Sequence, residues 1–188
     1  MNIWAKLVVV ASVILTLLPI TASSQQPVQG QHFSKCDPKI IKNMHRFWAK
    51  AGTPNVEQLI TMGTFAVVNT TYCVYPPDIR CVAANLYPDT ASMVWEPDCG
   101  EPERYSYQVE YAPGMLIDKD SGLRWFYAVI TSDGYIAFYK CDENGPPGKP
   151  AGGVMVPNGH YNKERVCLAA GVLSLLHIWL QENRDYNC

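Results

Sequence analysis

The chain has 188 residues, 48% hydrophobic, 11% aromatic and 17% charged, with 15 Lys and Arg against 17 Asp and Glu. That length allows one ordinary domain or two small ones, with a sizeable core, and so apolar a composition excludes a chain disordered throughout. A formal charge of −2 leaves no basic footprint, so nucleic acid is not an expected partner.

The first segment reads as a secretory leader rather than as structure. Met1 and Lys6 give a positive start, Leu7 to Ile20 an apolar run, and Ala22-Ser23-Ser24 small residues at cleavage offsets. The run falls short of the roughly 20 apolar residues that span a bilayer. Val166 to Leu180 is interrupted by Gly171, Ser174 and His177, so no integral membrane segment is expected after cleavage. Residues 1–24 are thus assigned to the signal peptide, 25–35 to a flexible polar lead-in, and 36–188 to one domain in a secreted, extracellular protein.

Within that domain the period of the apolar residues changes twice. Asp37 can cap a helix and Pro38 suits its first turn; Ile40, Ile41, Met44, Phe47 and Trp48 recur at helical spacing until Gly52-Thr53-Pro54 ends it. Val56, Leu59 and Ile60 share one face of a further short turn. Strands are expected over Met62–Asn69, Arg80–Tyr87 and Ala91–Glu96. From Tyr105 to Tyr111 the alternation sets Tyr105, Tyr107, Val109 and Tyr111 on one side and Ser106, Gln108 and Glu110 on the other. Leu123–Thr131 and Tyr135–Cys141 form a hairpin through Ser132-Asp133-Gly134, where glycine tolerates positive φ. Asn144 to Gly153 reads as a surface loop rich in Gly and Pro. Lys163 to Asn183 is the longest helical pattern. Leu168, Val172, Leu175 and Trp179 lie on one face and Val166, Ala169, Ala170, Leu173, Leu176 and Leu180 on the next, a stripe wide enough to predict a well-buried helix on the sheet.

All seven cysteines, Cys36, Cys73, Cys81, Cys99, Cys141, Cys167 and Cys188, follow the leader. In an oxidising compartment most should pair, and the odd one could link two chains into a dimer. Asn69-Thr70-Thr71 is a sequon that the secretory route would allow to carry a glycan.

Three motifs resemble the lipocalins, in the branch of apolipoprotein D and the insect bilin-binding proteins. Gly63-Thr64-Phe65 stands where that family has Gly-x-Trp. Arg80-Cys81-Val82-Ala83-Ala84-Asn85-Leu86-Tyr87 is similar to its second-strand motif, and Trp125 to Cys141, with Thr131, Asp133, Tyr135, Ala137 and Tyr139, to its third. Phe65 departs from the family's tryptophan, the Thr-Asp-Tyr turn is one residue short, and six or seven strands are countable. The resemblance implies a mainly β protein: an antiparallel up-and-down barrel with an N-terminal helix and a long C-terminal helix packed on it. It also implies Cys36–Cys141 and Cys81–Cys188 bridges. A Cys73–Cys99 bridge is the expectation for the remainder, with Cys167 left buried on the helix.

A closed barrel must fill its interior with side chains or enclose a ligand. The candidate inward residues are Phe65, Tyr105, Tyr107, Val109 and Tyr111, with Trp125, Tyr127, Val129, Tyr135, Ala137 and Tyr139. Large apolar area with a few hydroxyls is a small-molecule wall. The expected function is non-covalent carriage of a hydrophobic ligand: a lipid, sterol, retinoid or pigment. The competing expectation is a cysteine-stabilised interaction module with no internal ligand. His32, His45, His160 and His177 show no metal-ligand spacing and no Gly-x-Ser-x-Gly elbow occurs, so no catalytic residue, metal or cofactor is expected. His177, flanked by Leu173 and Leu180, reads as a core histidine.

Overall fold

The computed structural model describes residues 33–71 and 74–185. The expected leader, most of the lead-in, Cys73 and Cys188 lie outside the described residues.

Helix α1 (Pro38–Ala51) forms where its signals place it. The Asp37 carboxylate accepts the Lys39 N–H at 2.8 Å, Pro38 begins the first turn, and Gly52, at φ 93°, ends the helix. Ile40, Met44 and Trp48, four apart, are its buried face. A 3₁₀ turn (Val56–Thr61), capped by Asn55, leads into the sheet.

Eight strands follow: β1 (Thr64–Thr70), β2 (Ile79–Leu86), β3 (Thr90–Pro97), β4 (Glu103–Ala112), β5 (Met115–Asp118), β6 (Leu123–Ile130), β7 (Ile136–Asp142) and β8 (Ala151–Pro157). Each pairs antiparallel with the next, and β8 returns to β1 in a register running from Phe65 opposite Pro157 to Thr70 opposite Gly153. The sheet is therefore a closed up-and-down barrel. A short β9 (Glu182–Asn183) adds to β1 where β2 has diverged.

Two of the eight strands are absent from the sequence reading. β5 has four residues, too few to show a period. β8 begins inside the stretch read as a surface loop, and its buried Gly152 and Gly153 are the reason it looks like one. A Cβ on Gly153 would stand 2.7 Å from the Asn69 carbonyl oxygen and 2.9 Å from the Phe138 ring, so the glycine is there to let a ring and a strand close on the backbone.

Helix α2 (Lys163–Leu175) is shorter than expected. The chain leaves it through Leu176 and the exposed His177, which takes a left-handed φ of 63°, so His177 is not the core histidine expected. Val166, Ala169 and Leu173 pack on β6, β7 and β8, and Ile178 turns back into the same core. The face holding Leu168, Leu175 and Trp179 does not pack: these stand 61%, 72% and 60% exposed. A helix lying on the outside of a barrel presents only one stripe to it, which is why the wide apolar surface is half used.

Residues 33–35 are not part of a flexible lead-in. Phe33 and Ser34 are buried, the Lys35 N–H donates to Pro146 O at 2.7 Å, Cys36 N–H to Asp142 O at 3.0 Å, and Asp142 N–H to Ser34 O at 3.1 Å. The Cys36–Cys141 disulfide fastens this arm to the end of β7. Cys81 is also disulfide-bonded, to a partner outside the described residues. The Asp185 N–H, donating to Arg80 O at 3.1 Å, brings the chain back beside it three residues before Cys188. Cys99 and Cys167 are free and exposed. The expected Cys73–Cys99 bridge is therefore absent, because Cys99 caps the exposed β3–β4 turn, and Cys167 is on the solvent side of α2 rather than buried.

Replacing Cys36 and Cys141 together by serine opens a loop of 105 residues. The expected loss is about 4–5 kcal/mol in the chain-entropy model, read from equilibrium denaturant unfolding. An unchanged midpoint would show that the backbone bonds of the arm suffice by themselves.

Candidate ligand site in the barrel

Closing the sheet separates two cores. The inner one gathers Phe65 and Val67 from β1, Val82, Ala84 and Leu86 from β2, Met93 and Trp95 from β3, and Val109, Leu116, Trp125, Tyr127, Ile136, Phe138 and Met155 from the rest. The outer one lies between the barrel and the helices, and takes Ala66, Val68, Phe126, Ala128, Ala137, Tyr139, Val154 and Val156. The period of two that sends Phe65 in and Ala66 out divides the strands between the two cores, except where a bulge interrupts it.

Seven of the eleven predicted wall residues, Phe65, Tyr105, Tyr107, Val109, Tyr111, Trp125 and Tyr127, belong to the inner core or pack against it. The other four face outward. In β6 a bulge at Ala128 breaks the register between Tyr127 and Val129, turning Val129 out and Ile130 in. In β7 the inward residues are Ile136, Phe138 and Lys140, so Tyr135, Ala137 and Tyr139 lie under the helices. Their hydroxyls have work there: Tyr139 Oη accepts the Asp37 N–H at 2.9 Å, and Tyr135 Oη donates to the His160 carbonyl. Both faces of β7 are apolar because both are covered, and period two then carries no sign to choose between them. Asn69 is half-buried within β1, and the hydroxyl of Thr71 accepts the Gly152 N–H at 3.1 Å.

The barrel is shut at one end by the 3₁₀ turn, whose Val56 and Leu59 point inside. The other end is the mouth, where β1 leaves, β5 ends at Asp118 and β7 ends at Asp142. Two segments outside the eight strands plug it: Phe33 from the arm, and Val74-Tyr75 from the β1–β2 connection. The Tyr75 ring meets Trp95 edge-on at 5.3 Å, and Trp95 meets Tyr105 at 4.6 Å. The buried Arg184 holds this plug. Its guanidinium lies 5.3 Å from the Tyr75 ring, donates to the Ile79 and Tyr75 carbonyls, and pairs with Glu182 at 2.8 Å.

Below the plug is a cavity of about 30 Å³, bordered by Tyr75, Met93, Tyr107, Leu116, Trp125, Tyr127, Phe138 and Met155. That space suits a water molecule rather than a ligand. Burial raises the pKa values of Tyr75, Tyr107 and Tyr127, and that of Tyr111 to about 12, so this wall offers neutral hydroxyls. Trp95 Nε1 is buried with no hydrogen-bond partner among the described residues. A wider groove of about 930 Å³ runs along α1 past Lys35, Ile41, Lys42, His45 and Arg46, but it is open to solvent and separate from the barrel.

Sequence reasoning missed Phe33, Tyr75, Phe138 and Lys140. Lys140 is the least expected, 2% exposed and directly opposite Trp125 in the β6–β7 register. Its Nζ stands 3.9 Å from the centroid of the Phe33 ring and 4.6 Å from that of Trp125. Desolvation lowers its pKa to about 7, against which the nearby Asp118 acts in the opposite sense. Asp118 is itself buried, accepting the Asp120 N–H at 3.0 Å and the Ser121 hydroxyl at 2.6 Å.

No family model matches the chain, and no curated protein matches it. Solved structures do match in fold. A siderocalin, Ex-FABP, is 6% identical, with 65% of this chain and 93% of that one covered at a TM-score of 0.50. An apocrustacyanin is 10% identical, with 81% and 89% covered at 0.56. Both are lipocalin-family proteins, and the barrel with its N-terminal and C-terminal helices matches theirs.

Lys140 makes stability depend on pH in a definite sense. Its folded pKa, about 7, lies below the value of about 10.4 in an unfolded chain, so between these limits the unfolded state binds more protons. Stability rises with pH across that window, and below it the full penalty stands. Lys140→Met removes the amine and keeps the volume. Denaturant unfolding at a series of pH values should show the variant more stable than the parent by several kcal/mol at pH 6, with the gap narrowing toward pH 10. A gap independent of pH would contradict the assignment.

Proposed function

We propose that this chain is a secreted, non-enzymatic binder and carrier of a small hydrophobic ligand inside the barrel, in the manner of the apolipoprotein D and bilin-binding branch of the lipocalins. The observation that carries this reading is the make-up of the inner core. Its wall belongs to the strands, but its plugs, Phe33 and Val74-Tyr75, belong to segments outside them. Withdrawing the plugs leaves every ladder among the eight strands intact, so a pocket of the usual ~300–1,000 Å³ can open without unmaking the sheet. Phe138, Trp125 and Tyr107 would present ring faces to the ligand, and the neutral tyrosine hydroxyls and Trp95 Nε1 would give it a few polar anchors. The Cys36–Cys141 bridge supports the branch, since it joins the N-terminal arm to the end of the hairpin as the resemblance implies. A bridge between Cys81 and Cys188 fits the return of Asp185 to β2. Disulfide chemistry, in turn, suits an extracellular protein.

The second reading, an interaction module without an internal ligand, draws on a different observation. Leu168 and Leu175 stand exposed on α2, with Trp179 exposed in the segment after it and the free Cys167 next to Leu168 in the helix.

Titration with the apolar fluorophore N-phenylnaphthylamine separates the two. The carrier reading expects saturable binding of one probe per chain, with tryptophan fluorescence quenched through Trp125. It also expects Tyr75→Ala, which removes a plug, to bind at least several-fold more tightly although cavity formation costs it about 3–5 kcal/mol of stability. Absence of saturable binding in both proteins, with self-association lost in Leu175→Gln, would favour the interaction module.

A further inference from the structure

A lysine inside a β-barrel needs a reason, and the surroundings of Lys140 suggest one. The side chain stands on the inward face of β7, two residues beyond Phe138, whose ring borders the central cavity. Trp125 is shared between the two places, lining the cavity and lying 4.6 Å from Nζ. The amine is thus a few ångströms beyond the space a ligand would take, closed off from solvent by Phe33. Across the mouth, β4 contributes Tyr107, a neutral hydroxyl, and the end of β5 contributes Asp118, a carboxylate already engaged with Asp120 and Ser121.

We propose that Lys140 is a covalent capture site for the carbonyl group of a flat, apolar aldehyde entering the barrel mouth. The Nζ lone pair attacks the carbonyl carbon and an N–H proton passes to the oxygen, giving a carbinolamine. Loss of that hydroxyl with the remaining amine proton as water leaves a C=N bond. One water is released, nothing is oxidised or reduced, and the step reverses when water returns.

Two features of the enclosure serve this chemistry. Attack requires the neutral amine, and burial that holds Lys140 near pH 7 keeps about half of it neutral there. A solvent-exposed lysine, at about 10.4, has a neutral fraction roughly 10³-fold smaller. The rings of Phe33 and Trp125 also exclude the water that hydrolyses an imine, so the cost of burying the amine is turned to holding the product. Their faces favour a planar, conjugated aldehyde over a branched aliphatic one.

The inference rests on the barrel admitting a ligand, and the test separates the two claims. The full mature chain is incubated at pH 7 with trans-cinnamaldehyde and sodium cyanoborohydride, digested and mapped by mass spectrometry. The expected result is one adduct per chain on Lys140, heavier by the mass of the probe less one oxygen atom, with exposed Lys39, Lys42 and Lys50 modified at least ten-fold less. Labelling of Lys140 should rise with pH through a midpoint near 7 and run several-fold faster in Phe33→Ala, where the lid is gone. Lys140→Met should lose the adduct while its cooperative unfolding shows that the fold is kept. Adducts spread over the exposed lysines, or an unlabelled Lys140 in a chain that binds N-phenylnaphthylamine, would overturn the capture site and leave the carrier standing. A chain that takes up neither probe would overturn both.

Discussion

The β1–β8 ladder, from Phe65 opposite Pro157 to Thr70 opposite Gly153, turns eight strands into a ring. Once that ring is closed, a residue on the barrel has only two addresses. One is an interior lined by aromatic rings, and the other is an outer surface on which α1 and α2 cover β1, β6, β7 and β8. Everything distinctive about the molecule follows from how side chains are divided between the two. The bulge in β6 exchanges Val129 for Ile130, the glycines of β8 admit the Phe138 ring, and the inward turn of β7 buries an amine. The barrel also needs two seals. The 3₁₀ turn provides one as a fixed floor, and the arm and the Tyr75 loop provide the other as a plug held by a disulfide and by Arg184.

Much of this was legible in the sequence, and the parts that were not have physical reasons. The caps of α1, the hairpin at Asp133-Gly134 and the inward set of β4 could be read because local chemistry decides them. β4 has one wet face, so polar residues mark which side is out. Strands β6 and β7 have none, because helices cover their backs, and without polar residues the alternation could not be phased. Tyr135 and Tyr139 looked like ligand contacts but serve the loop before α2 and the cap of α1. Phe33 and Tyr75 escaped notice because loop residues follow no period, and Lys140 because a lysine is presumed wet. The arm shows the same limit. A polar, irregular lead-in gave no sign that its last residues would lie between β7 and the loop after it, since those bonds are made across more than a hundred residues of chain.

At the mouth, stability and the proposed function pull in different directions. Lys140 without its charge is tolerable among rings; with it, the site loses free energy that a methionine would not forfeit. Retaining the amine is therefore a cost borne at the place where a ligand would pass. The plugged interior has a similar meaning. A space of about 30 Å³ is what remains when Tyr75 sits inside, and on the proposed carrier reading it belongs to a closed state rather than setting the capacity of the barrel. Uptake then depends on how readily the plug leaves, which sets affinity through the population of the open form.

On the proposed carrier reading, a ligand enters the interior of the barrel and leaves the outer face of α2 untouched. Nitrogen–proton NMR spectra of the labelled chain, titrated with N-phenylnaphthylamine, test it directly. Saturable shifts are expected at Phe33, Tyr75, Tyr107 and Phe138, with the amides of α2 unmoved. Shifts confined to Leu168, Leu175 and Trp179 would contradict it.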